Sequence, residues 1–240
     1  MDEAGTLLLG ARVFALADRA GYKEIVTGCN ACYTTLRKVT EKLSSNKDYV
    51  KDINTRLSDE GLEYDENSKI RHFLEVFVND VPDELWSEKI KLGNEKKKLD
   101  FSSIKVAAYY GCQLTRPWND LEPADMLEKL IAKAGFTSVD HSAKTMCCGA
   151  SLAIPYSKES GPIIKRIING VLDRKADLVT TLCPLCQLNL DHGQTGMGTA
   201  VPVTYFSQVA GLALGIKPEK LGLDKLLIRV NKELLHGNKK

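Results

Sequence analysis

Apolar residues recur along the chain with two alternating periods. Leu7, Leu8, Ala11, Phe14, Ala15 and Leu16 share one face of a 3.6-residue repeat and Gly21 follows, which predicts a helix over residues 7–20. A short strand-like run at 24–27 then meets Gly28-Cys29-Asn30-Ala31-Cys32, and Leu36, Val39 and Leu43 predict a second helix over 33–43. Residues 44–69 are polar, with room for a surface helix at 47–57. Ile70, Phe73, Leu74, Phe77 and Val78 have helical spacing, so 70–78 is predicted helical. The charged stretch 89–100, which holds Lys96, Lys97 and Lys98, has little core pattern and is expected to join two halves.

The second half alternates more clearly. Strands are predicted at 104–110, 136–141, 178–182 and 201–206, and helices at 121–135, 163–176 and from 207 to 214. The rhythm predicts an α/β fold of small, mostly parallel sheets with helices on both faces. Ligands in such sheets gather at the carboxyl ends of the strands. Cys112 and Cys183 directly follow predicted strands, and Cys147 and Cys148 come soon after another.

Composition narrows the class. The 240 residues are 43% hydrophobic and 27% charged, and 33 Lys plus Arg against 31 Asp plus Glu leave a net charge of +2. That balance is ordinary for a globular protein and gives no reason to expect nucleic acid. The triple-lysine run reads as a solvated linker face. No window nears the ~18 consecutive apolar residues of a membrane span. The opening Met-Asp-Glu-Ala-Gly has no basic region ahead of an apolar core, so a cytoplasmic protein without a transmembrane segment is expected.

Seven cysteines, an odd number, argue against a disulfide framework in such a compartment. Thirty-four residues separate Cys112 from Cys147, and 34 separate Cys148 from Cys183, which pairs with Cys186 as Cys-Pro-Leu-Cys. Five soft thiolates on converging loops suit an iron–sulfur cluster or zinc. Structural zinc takes four ligands, commonly from two close pairs, whereas adjacent cysteines can serve different irons of one cluster. A thioredoxin-like Cys183–Cys186 pair would leave three cysteines unexplained. His141, Lys144 and His192 lie near these loops. Lys144 and His192 are weak catalytic candidates, through an anion contact and proton donation respectively. Tyr109 and Tyr110 alternate across a strand, so one faces the core and the other the site. His72 and His236 carry no signal.

The segments Tyr110-Gly111-Cys112-Gln113-Leu114-Thr115-Arg116-Pro117, Lys144-Thr145-Met146-Cys147-Cys148-Gly149-Ala150-Ser151-Leu152 and Cys183-Pro184-Leu185-Cys186-Gln187-Leu188-Asn189-Leu190-Asp191 resemble the cysteine-rich CCG domain. Their form is most similar to the B-subunit family of heterodisulfide reductases, known from methanogens and other anaerobes. Gly28-Cys29-Asn30-Ala31-Cys32-Tyr33 looks like the end of a first copy. The resemblance implies two CCG domains, each holding a noncubane [4Fe-4S] cluster, that split a disulfide such as CoM-S-S-CoB between them. It implies Cys112, Cys147, Cys148, Cys183 and Cys186 as ligands, with Cys29 and Cys32 as part of a second site. Residues 1–28 hold no cysteine, so the first domain is expected to be incomplete: the chain is truncated, another polypeptide supplies the remainder, or that cluster is lost. The expected organisation is a partial N-terminal CCG domain plus connector at 1–100 and a complete one at 101–240. Partners resembling the iron–sulfur (C) and flavin (A) subunits of heterodisulfide reductase are implied. The alternative functions are an electron-transfer subunit of a glycolate-, lactate- or succinate-type dehydrogenase and a zinc-bearing scaffold.

Overall fold

The computed structural model describes residues 2–95, 99–116, 125–153 and 156–235, and the chain divides into two compact units, residues 1–73 and 74–240. The division falls before the charged stretch 89–100, which is helical as far as Glu95. Lys96, Lys97, Lys98, Pro117 and His236 lie outside the described residues, as does the start of the helix expected at 121–135.

In the first unit, α1 (Glu3–Arg19) is capped by Asp2, whose carboxylate accepts from the Ala4 and Gly5 amides. β1 (Glu24–Thr27) leads into α2 (Asn30–Ser44), and α3 (Lys47–Leu57) follows. Leu7, Ala11, Phe14 and Ala15 of α1 pack with Val39 and Leu43 of α2 and Ile53 and Leu57 of α3 around one core. β2 (Lys69–His72) runs parallel to β1, with Thr27 opposite His72. The helix expected at 70–78 is therefore corrected: its first residues form β2, and α4 (Phe73–Asn79) begins only after them. Helical spacing was real from Phe73 onward, but the preceding residues satisfy their backbone groups against β1. His72, which carried no signal, is fully buried, edge-on to Tyr33 with ring centres 5.8 Å apart.

The second unit begins within α4, at Leu74, and holds α5 (Asp83–Glu95), β3 (Lys105–Tyr109), α6 (Met126–Lys133), β4 (Thr137–Val139), α7 (Ser157–Leu172), β5 (Leu178–Thr181), α8 (Pro184–His192), β6 (Val203–Tyr205), α9 (Phe206–Ala213) and α10 (Lys232–Leu235). Its four strands are parallel, in the order β4-β3-β5-β6. α6 packs on β3 and β4, and α9 on β5 and β6. α7 and α8 meet where Gly193 abuts Ile164. β5 is buried along its whole length, its two threonines together with Leu178 and Val179, as befits a strand covered on both faces. α8 was not anticipated: Pro184 sits in its first turn, where a missing N–H costs nothing, so the proline starts the helix.

Two segments repeat one design. β1 ends and Cys29 caps α2; β5 ends and Cys183 caps α8. The cap residues have φ −130° and ψ 123° in the first case and φ −130° and ψ 120° in the second. Each C-x-x-C thus spans a helix N-terminus at the carboxyl end of a strand.

Candidate functional site

Three loops at the carboxyl ends of the strands carry the five second-half cysteines. β3 delivers Cys112 through Gly111, which adopts φ +70°, a conformation that favours glycine. The Tyr110 and Gly111 amides both donate to the Lys144 carbonyl, at 2.8 and 3.2 Å, and the Arg116 guanidinium donates to the Thr145 carbonyl at 3.0 Å. These bonds lash the Cys112 loop to the Cys147–Cys148 loop. Gly149, at φ +76°, turns the chain after the pair, and its amide lies 3.4 Å from Cys147 Sγ.

The sulfurs converge. Cys148 Sγ and Cys186 Sγ are 3.3 Å apart. Cys186 also hydrogen-bonds with Cys183, and Cys112 with Cys147. Cys112 feels the charge of Cys148 as well, which links the two groups. Cys148, Cys183 and Cys186 are buried, Cys112 is half-buried and Cys147 is exposed. Among the described residues, no group of three or more Cys, His, Asp or Glu side chains is arranged around a single-ion position.

Burial and neighbours separate the thiols. Cys112 is pushed up to about 11, first by burial and then by Cys147. Cys148 is held down to about 7, chiefly by its hydrogen bond with Cys186 and also by the Ala150 amide and Asn189. Cys186 moves far upward, because donating to Cys148 and Cys183 keeps it a thiol. Asn189, three residues after Cys186 and thus on the same helix face, donates to the Cys148 carbonyl at 2.7 Å. The sequence reading missed it, although a polar residue at that spacing was the available signal.

The tyrosine pair is resolved. Tyr109 faces the cysteines: its hydroxyl donates to the Met146 carbonyl at 2.7 Å, and burial followed by the neighbouring thiols drives its ionisation well upward. Tyr110 faces α6, where its hydroxyl donates to Glu128 and accepts from the Leu127 amide at 2.9 Å.

Lys144, His192 and His141 occupy three different settings. Lys144 Nζ pairs with Asp140 at 2.8 Å and Glu128 at 3.2 Å, and this pairing, Asp140 foremost, raises its affinity for its proton. Its backbone carbonyl, not its ammonium, serves the cysteine loops. His192 is exposed in the last turn of α8, six residues beyond Cys186, or about 9 Å along the axis. His141 is buried, and its Nε2 lies 2.9 Å from the Ala108 carbonyl, to which the ring donates. Burial lowers its pKa.

In the first unit Cys29 is half-buried and Cys32 exposed. The Thr27 hydroxyl accepts from the Cys29 amide at 3.1 Å. His72 stands opposite Thr27 at the same strand rim.

A parallel α/β sheet whose strand ends present this thiol set defines a cysteine-rich redox-type domain, and the family profile described as "CCG: Cysteine-rich domain" matches residues 106–191. The chain is 30% identical, over 95% of its length and 77% of the relative's, to the B subunit of the ferredoxin/F(420)H(2)-dependent CoB-CoM heterodisulfide reductase of Methanosarcina acetivorans. It is 31% identical, over 97% of its length and 81% of the relative's, to the 8-methylmenaquinol:fumarate reductase membrane anchor subunit of Wolinella succinogenes. The chain belongs to the B-subunit family of heterodisulfide reductases. Membership implies iron–sulfur chemistry. A crystal structure of a hypothetical protein from Helicobacter pylori shares the fold, with a TM-score of 0.71 at 15% identity, over 96% of this chain and 43% of that one.

The donor set fits such a centre. Five soft thiols on three loops come together through pairwise links, Cys148 with Cys186, Cys186 with Cys183 and Cys112 with Cys147. Among the described residues, no helix is long and apolar enough to cross a membrane.

Proposed function

We propose that this chain is the disulfide-reducing iron–sulfur subunit of a heterodisulfide reductase-type complex in the cytoplasm. Cys112, Cys147, Cys148, Cys183 and Cys186 would hold a noncubane [4Fe-4S] cluster in a complete CCG domain at 101–240. Cys29 and Cys32 would contribute to a second, incomplete site in residues 1–100, whose remaining ligands come from another segment. Electrons would arrive through partners resembling the iron–sulfur (C) and flavin (A) subunits of heterodisulfide reductase. The substrate would be a small-molecule disulfide, CoM-S-S-CoB or an analogue.

The observation that carries this reading is the convergence of the five thiols from loops 34 residues apart. When bound, a cluster supplies electrons and a soft iron for a departing thiolate. The reaction balances as R–S–S–R′ plus two electrons and two protons giving RSH and R′SH. The protein's own part is to hold the thiols in register and shield them: Asn189 and Tyr109 fix the carbonyls of Cys148 and Met146, and burial keeps water from Cys183 and Cys186. Lys144 is engaged by two carboxylates and His192 lies at the far end of α8, so neither is favoured as the proton donor.

The Wolinella relative supports a second reading, in which the chain relays electrons in a dehydrogenase- or reductase-type complex without a substrate of its own. One experiment tests both. After anaerobic reconstitution, iron and acid-labile sulfide are counted, and paramagnetic resonance of the oxidised protein is recorded with and without coenzyme M. A thiol-dependent signal supports the reductase. A cluster blind to the thiol supports the relay, and a folded, iron-free protein refutes both.

A further inference from the structure

Tyr109 is the last residue of β3 and is fully buried. Its phenol lies within charge range of Cys186, Cys148, Cys147 and Cys112. Its hydroxyl holds the carbonyl of Met146 at 2.7 Å, and that peptide bond leads directly into Cys147. It precedes Cys112 by three residues, and it pairs in register with Thr181, two residues before Cys183. One residue is therefore tied to all three cysteine-bearing loops, to one by its hydroxyl and to the other two through the backbone. Tyr110, the next residue, serves as an internal contrast: it also loses its hydroxyl to hydrogen bonds, but on the opposite face of the sheet, with Glu128 and Leu127.

We propose that Tyr109 is a positioning residue, whose hydroxyl bond to the Met146 carbonyl fixes the stance of the Cys147–Cys148 pair toward an iron–sulfur centre. The proposal rests on the cluster reading above. A carbonyl deprived of its donor turns toward another, and the peptide unit turns with it, carrying the Cys147 amide and the side chain that follows. Partners one step removed from a metal ligand act in this way, and losing one typically weakens metal binding by about 10- to 100-fold. Tyr109 is fully buried, and replacing it with Phe keeps the ring, so the hydroxyl bond can be removed with little change in side-chain volume.

The test compares Tyr109→Phe with Tyr110→Phe, each of which deletes one hydroxyl and keeps its ring. In reconstituted protein, Tyr109→Phe should release iron to a competing chelator about tenfold faster and change the paramagnetic resonance line shape. Tyr110→Phe should leave both as in the wild type. In the iron-free chain, Tyr109→Phe should speed iodoacetamide alkylation of Cys147 several-fold while Cys32 keeps its rate. Wild-type iron release and spectra in Tyr109→Phe, or equal changes in Tyr110→Phe, overturn the proposal. If the wild type holds no iron, the cluster reading fails, and the alkylation rates alone decide whether Tyr109 positions the thiols.

Discussion

Asp191 sits in the same helix as Cys186, which Cys183 caps, and in the same sequence motif, yet its carboxylate is engaged elsewhere. It is 4% exposed and accepts from the Leu227 amide at 2.7 Å and the Ile228 amide at 2.9 Å. It thus clamps the segment after α9 to α8. Hydrogen bonds to a charged group contribute about 1.5–3 kcal/mol each. Leu227 is exposed and Ile228 is half-buried, so water can reach their freed amides and the low end applies. Asp191→Ala should therefore cost about 3 kcal/mol, and Asp191→Asn, which keeps one acceptor, about half of that. For a unit of this size each kcal/mol moves the melting temperature by about 2–4 °C, which predicts a drop of about 6–12 °C for the alanine variant. Thermal unfolding by circular dichroism measures it, and limited proteolysis around residues 226–231 should become faster in the same order. Iron per chain in the folded protein should stay as in the wild type. A melting shift under about 2 °C with unchanged proteolysis would show that the clamp contributes little. Loss of iron from a fully folded Asp191→Asn would place the residue in the site instead.

Gly10→Ala should destabilise the first unit by about 1–3 kcal/mol in urea unfolding, because the added Cβ would stand 2.5 Å from Cγ2 of Val39, a stiff side chain on the facing helix. A neutral outcome would mean that α1 and α2 can separate freely. His141 has its folded pKa below the ordinary 6.5, so the unfolded chain takes up a proton first as the medium acidifies. Its contribution to stability is full above about pH 6.5 and is lost as pH falls below that, with a slope of up to about 1.4 kcal/mol per unit. Unfolding midpoints between pH 7 and 5 should show this slope in the wild type and a shallower one in His141→Gln; identical slopes would remove His141 as the cause.

Most of the second-half architecture was legible in the chain. Val106, Ala107, Ala108 and Tyr109, like Leu178 and Val179, form the unbroken apolar runs of strands buried on both faces, and the helix stripes at 126–131 and 163–172 pointed inward as expected. Where the reading failed, a non-local partner intervened. Residues 70–72 have helical spacing but pair with β1 instead. That pairing is not encoded in a local window, whereas a proline in a helix's first turn, as at Pro184, is a local start signal.

The cysteines divide in the same way. Their number, types and spacings, and the glycines that let the chain turn beside two of them, are properties of the sequence, and they sufficed to name soft-ligand chemistry and a family. Which carbonyl Tyr109 holds, that Lys144 is claimed by Asp140 and Glu128, that His192 stands at the far end of its helix from the sulfurs, and that Cys148 ionises before Cys186 were decided only by the fold. Ligand identity is a matter of covalent side-chain chemistry, written residue by residue. Proton affinity and hydrogen-bond choice depend on distance and burial, and those exist only once parallel strands have brought remote loops to one edge of a sheet.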